Sequence, residues 1–121
     1  MTRVEKIDLS EKFGLFSERW SPKIVAEVND MQVRLAKLEG EFVWHSHENE
    51  DEMFLVVRGE LTIRLRDGEL TLSEGQLAVV PRGAEHMPVA KSEVHVLVLT
   101  RRSTVNTGDV GGDRTARAEW I

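Results

Sequence analysis

From Pro22 onward, short runs of β-favouring residues alternate with turn signals, and no stripe of helical period interrupts them. The clearest run is Glu60 to Arg66. There Leu61, Ile63 and Leu65 fall on one face of an extended chain, and Thr62, Arg64 and Arg66 on the other. Such a strand has one dry face and one wet. Lys23 to Val28 and Met31 to Leu38 flank Asn29-Asp30, two residues that tolerate the positive φ of a tight hairpin turn. Asp67-Gly68 turns the chain into Glu69 to Leu72, and Ser73-Glu74-Gly75 turns it again into the apolar run Leu77 to Val80. Met53 to Arg58 and Glu93 to Thr100 are apolar on both faces, so each is expected to be covered on both sides. Together these runs predict an all-β sandwich or barrel.

The two ends read differently. Before Pro22, Ser10 is expected to cap a short helical turn through Glu11, Lys12 and Phe13, with Leu15 and Phe16 facing a core. Beyond Arg101 the chain is polar and Gly-rich without periodicity, which predicts an irregular tail with Trp120-Ile121 pinned against the body. The expected organisation is an N-terminal segment (1–21), a β-barrel (22–100) and an irregular C-terminal tail (101–121).

Length and charge narrow the function classes. At 121 residues the chain is about one domain long, and one site is the natural expectation. Sixteen Lys and Arg against 21 Asp and Glu give a formal charge of −5, with no basic stripe to track a phosphate backbone, so nucleic acid is not an expected partner. No segment approaches the ~18 apolar residues of a membrane span, and the first residues lack the apolar stretch of a secretion signal, which predicts a cytoplasmic protein without a membrane partner. Cysteine is absent. Any metal must therefore be held by imidazole, carboxylate and water.

Three of the chain's four histidines lie in two short segments, Trp44-His45-Ser46-His47 with the acidic run Glu48 to Glu52, and Pro81-Arg82-Gly83-Ala84-Glu85-His86. On a strand, His45 and His47 share one face, Glu52 follows as the next strand begins, and the Pro81/Gly83 bend can aim His86 from elsewhere. Three imidazoles and one carboxylate suit a first-row transition metal and leave positions open for water or substrate.

The spacing of the two segments resembles that of the cupins. The first cupin motif is matched by His45-x-His47, Glu52 and Gly59, and the second by Gly75, Pro81, Gly83 and His86. Two positions depart: Gly40 lies one residue closer to His45 than the usual leading glycine, and Ala90 stands at the closing Asn. The chain thus resembles a small single-domain cupin. The resemblance implies a double-stranded β-helix, or jelly-roll, barrel. It also implies one divalent transition metal ion per chain (Fe, Mn, Ni, Zn or Cu) bound by His45, His47, Glu52 and His86.

The remaining candidates receive plainer roles. His95 alternates with Leu97 and Leu99 and is read as a packed strand histidine outside the ligand set. Glu48, Glu50 and Asp51 are read as a solvated turn, Trp44 and Phe54 as packing residues, and Arg58, Arg64 and Arg66 as surface groups. Met53, Leu55, Val79 and Met87 are candidates for an apolar pocket lining. The favoured function is a metal-dependent, oxygenase-like enzyme of a small organic molecule; the alternatives are a sugar or sugar-phosphate isomerase-like enzyme and a non-catalytic metal-containing binding or sensor protein. The doubly apolar strands further predict a homodimer.

Overall fold

A computed structural model describes residues 3–121. One helical turn, α1 (Leu9–Phe13), precedes eight strands: β1 (Lys23–Val28), β2 (Met31–Glu41), β3 (Glu52–Arg58), β4 (Leu61–Leu65), β5 (Gly68–Leu72), β6 (Leu77–Val80), β7 (His86–Arg101) and β8 (Glu119–Trp120). They form a jelly roll whose sheet runs in the order β5-β4-β7-β2-β1-β8, with β3 pairing both β7 and β6. The long β7 organises this arrangement. One edge pairs with β2 along most of its length, while the other pairs with β4 near His86 and with β3 near Thr100. Residues far apart in sequence are thereby brought to one end of the barrel.

The alternation of β4 has its expected consequence: Leu61 and Ile63 are fully buried, together with Val56, Val94 and Val96. Each such side chain contributes about 1.5–3 kcal/mol on leaving water. A second cluster lies on the opposite side of the sheet. Phe13, Phe16, Val25 and Leu35 are buried there, with Val33, Val57, Leu97 and Ile121 packed against them. Part of the second cover for the doubly apolar strands is therefore the chain's own N-terminal segment and last residue.

Several local expectations are corrected. Asp8, not Ser10, caps α1, its Oδ1 accepting from the Glu11 N–H at 3.2 Å. Phe16 is buried as expected, but Leu15 is 66% exposed because the chain leaves the helix after one turn. Gly40 lies inside β2; its φ of 82° sits at a register shift between Leu38 and Gly40, so it marks a bulge. His45 and His47 are not on a regular strand: β2 ends at Glu41, and His45 makes only an isolated bridge to His86. β7 begins at His86, seven residues before the expected start at Glu93, because Pro88 and the polar Lys91-Ser92 mask its period. At the other end, Ile121 packs in the second cluster and Trp120 is held by strand pairing alone, its side chain 58% exposed.

Candidate metal centre

Backbone hydrogen bonds join the two histidine segments before any side chain is considered. His45 and His86 exchange N–H···O=C bonds of 3.0 and 2.9 Å, and the Gly83 N–H donates to the His47 carbonyl at 2.8 Å. Gly83 has a φ of 82°, which a residue with a Cβ adopts only under strain. The Arg82 N–H donates to Asp51 Oδ1 at 2.9 Å, tying the turn to the acidic run as well. A third segment clamps the site from outside, where Asp109 Oδ1 accepts from the Ser46 N–H at 2.9 Å. Beside it, a Cβ on Gly108 would lie 2.2 Å from the Ser46 carbonyl oxygen, so only glycine lets the tail pack this closely.

This frame brings His45, His47, Glu52 and His86 together. All four are buried, and one candidate ligand atom from each lies within 4.8 Å of the others. The Nδ1–H of His45 donates to the Val43 carbonyl at 2.9 Å, and that of His86 to the Ala84 carbonyl at 3.0 Å. A carbonyl only accepts, so each bond fixes the proton on Nδ1 and leaves the Nε2 lone pair free, the arrangement usual for metal-ligating histidines. Among the described residues, both nitrogens of His47, Nε2 of His86 and Oε1 of Glu52 have no hydrogen-bond partner. Glu52 Oε1 lies 3.3 Å from His47 Nε2 and 3.4 Å from His86 Nε2, close in distance but outside hydrogen-bonding geometry. Buried polar atoms are rarely orphaned, and one shared cation would satisfy Glu52 Oε1, Nε2 of His86 and one of the two His47 nitrogens together.

The electrostatics match that donor set. Burial, with His86 nearby, lowers the pKa of His45 to about 4, so this imidazole is neutral at physiological pH. Burial alone would raise Glu52, but the adjacent His47 and His86 outweigh it and bring the carboxyl to about 2. Burial likewise lowers His47, yet the Glu52 carboxylate overrides it and holds the imidazole above its ordinary value. Protons thus compete with a metal more strongly at His47 than at His45.

A cavity of about 60 Å³ opens beside His45 and Glu52, with Leu38, Phe42, Phe54 and Val96 in its wall. Trp20 stacks on Phe42 at 4.6 Å between ring centroids, and the Phe42 edge meets His45 at 5.5 Å. Met53, Leu55, Val79 and Met87 do not line this cavity. In β3 the buried phase is Glu52, Phe54 and Val56, so Met53 and Leu55 point the other way, and Val79 is 56% exposed. Phe54 packs in the buried core as expected and also forms part of the pocket wall.

His95 lies away from the cluster, stacked on Phe13 at 4.6 Å and 3.3 Å from Glu93. Arg64 and Arg66 are surface groups paired with Glu41 and Glu85, and Arg66 also covers Trp44 at 3.8 Å. Sequence reasoning missed Trp20, Arg34 and Asn106, all of which line the cavity. For Arg34 a signal existed: it is in phase with Ala36 and Leu38 on β2, a charge on the face those small and apolar residues mark as inward.

Known proteins share this framework. A cupin-2 domain containing protein from Shewanella frigidimarina NCIMB 400 is 47% identical, over 79% of this chain and 94% of that one, with a TM-score of 0.78. Protein NMB1881 from Neisseria meningitidis is 30% identical over 80% of this chain and 99% of its own, with a TM-score of 0.74. The uncharacterized protein YdbB of Bacillus subtilis (strain 168) is 39% identical over 80 residues, so the chain spans 65% of that curated relative. The cupin domain family matches residues 31–100, a span that contains all four clustered side chains, and the chain belongs to that family.

Proposed function

We propose that this cupin is a metal-dependent enzyme acting on a small organic molecule, with His45, His47, Glu52 and His86 holding one divalent transition metal ion. The observation that carries the reading is the set of orphaned donor atoms on His47, Glu52 and His86, placed beside a largely apolar cavity. A bound metal would supply Lewis acidity and, if redox-active, electrons for dioxygen chemistry. The chain's own residues orient the imidazoles through Val43 and Ala84, keep His45 neutral, and surround the site with apolar side chains that exclude bulk water.

One feature favours an oxygenase-like reaction over a sugar isomerisation. An isomerase needs a separate base, and apart from His45 and Glu52 the polar side chains lining the cavity are Arg34 and Asn106, neither of which accepts a proton near neutral pH. The test combines metal analysis of purified protein with oxygen uptake over a panel of diketones, phenols and keto acids. Uptake that requires the bound metal supports the reading. Metal-loaded protein that turns over nothing on the panel would move it to the binding or sensor class, and isomerisation without oxygen would reverse the order of the two enzymatic readings.

A further inference from the structure

Arg34 is 4% exposed, and among the described residues none of its hydrogen-bond partners is a carboxylate. Its Nε–H donates to Gln32 Oε1 at 3.0 Å, one Nη1–H to the Thr104 carbonyl at 2.8 Å, and one Nη2–H to the Arg102 carbonyl at 3.2 Å. All three acceptors are neutral. A guanidinium has five N–H donors in a plane and keeps its charge in proteins, so among the described residues one donor on each terminal nitrogen remains free and the positive charge has no adjacent counter-ion. Glu52 and Glu50 act on it only from a distance. A buried charge in that condition is costly unless something compensates it. The same side chain lines the cavity beside His45 and Glu52.

We propose that the ligand of this cavity is a short-chain carboxylate, received by the two free Nη–H donors of Arg34 while its carbon skeleton lies against Leu38, Phe54 and Val96. A carboxylate fits for three reasons. Its oxygens accept charge-assisted hydrogen bonds from a guanidinium, which are stronger than bonds between neutral groups. Its negative charge pairs directly with a guanidinium that has no adjacent counter-ion among the described residues. The small cavity and its apolar wall admit a few carbon atoms rather than a polyhydroxylated chain. This inference deepens the metal-enzyme reading by naming the substrate class, and it assigns Arg34 as the specificity-determining residue.

The test is a ¹H–¹⁵N NMR titration with propionate, its neutral isostere propionamide, and inorganic phosphate. It is run on zinc-loaded protein of measured metal content and, separately, on chelator-treated protein. Propionate is expected to give saturable shifts at the Arg34 Nε–H and at Val96 and Val98, with propionamide binding at least about tenfold more weakly, the difference made by hydrogen bonds to a charged group. Arg34→Lys keeps the charge but removes the fork, and is expected to weaken propionate by about tenfold with unchanged metal content and spectral dispersion. Equal affinity for propionate and propionamide overturns the proposal, as do the absence of saturable shifts in both preparations and binding of phosphate alone. Shifts confined to Ala116 and Ala118, in the adjoining cavity that Arg34 also borders, overturn it too. Failure to load zinc counts against the metal centre only, because the chelator-treated arm still reports on Arg34.

Discussion

Two groups of buried polar side chains border the same cavity and are treated in opposite ways. Around Arg34 most contacts are made, with one N–H on each terminal nitrogen left over: Gln32 bonds Arg34 and Glu27, the Thr104 and Arg102 carbonyls receive the guanidinium, and Thr104 bonds Thr100 at 2.7 Å. Around Glu52 four atoms are left without partners. The first group fastens residues 102–104 to β2 and contributes to stability. The second costs stability in the metal-free protein, and so it is the group whose retention calls for a ligand. The difference teaches where binding energy is expected: satisfied polar groups hold the fold, and unsatisfied ones wait for something.

The largest test of that contrast is the double variant His45→Ala/His47→Ala. Removing two donors is expected to lower metal affinity by about a thousandfold or more, equivalent to ~4 kcal/mol, while the metal-free protein stays folded. Metal content by elemental analysis, with circular dichroism as the folding control, decides it; unchanged metal content would remove the assigned site. On the other side of the cavity, Arg34→Met is expected to cost about 2–3 kcal/mol in chemical denaturation, because it strands the Thr104 and Arg102 carbonyls, yet to leave metal content intact. A loss of metal without a loss of stability would invert the comparison.

Acid sharpens it further. His45 has a pKa of about 4 in the folded chain, against 6.5 for the free side chain. Between those values the unfolded chain binds the extra proton, so stability present above pH ~6.5 is lost as pH falls toward ~4, by up to about 3 kcal/mol in chelator-treated protein. His47, whose pKa is raised, works in the opposite sense. Comparison of unfolding free energies for wild type and His45→Leu between pH 7 and 4 isolates the His45 part; equal pH slopes would refute it. Metal affinity is expected to begin falling earlier, as His47 takes up its proton. The smallest effect belongs to His95→Gln. It should cost no more than about 1 kcal/mol, through the lost stack on Phe13, and should not alter metal content, as thermal unfolding and elemental analysis would show.

The four clustered residues were legible because motif spacing survives whatever local path the backbone takes. The sequence predicts a strand at His45 and His47, whereas the chain there is irregular and held by the His86 bridge and the Gly83 turn. The pocket lining was not legible in the same way. Strand phase alone does not say which face of β3 meets a cavity, so Met53 and Leu55 were named where Phe54 lines the wall. Trp20 and Asn106 come from outside the barrel strands, and no periodicity announces a residue that arrives through a loop.

By itself the sequence determined the all-β class, the turn at Asn29-Asp30 and, one residue out, the hairpin expected at Asp67-Gly68 that turns at Arg66-Asp67 with Gly68 already in β5, together with a metal-ligand constellation, because alternation, turn chemistry and ligand spacing are local or nearly local properties. Only the tertiary structure decided that Arg34 lies buried beside that constellation without a carboxylate partner, and that residues 102–109 clamp both. Those facts depend on pairings between β2, β7 and the C-terminal segment, contacts across some 70 positions of chain that no local pattern encodes.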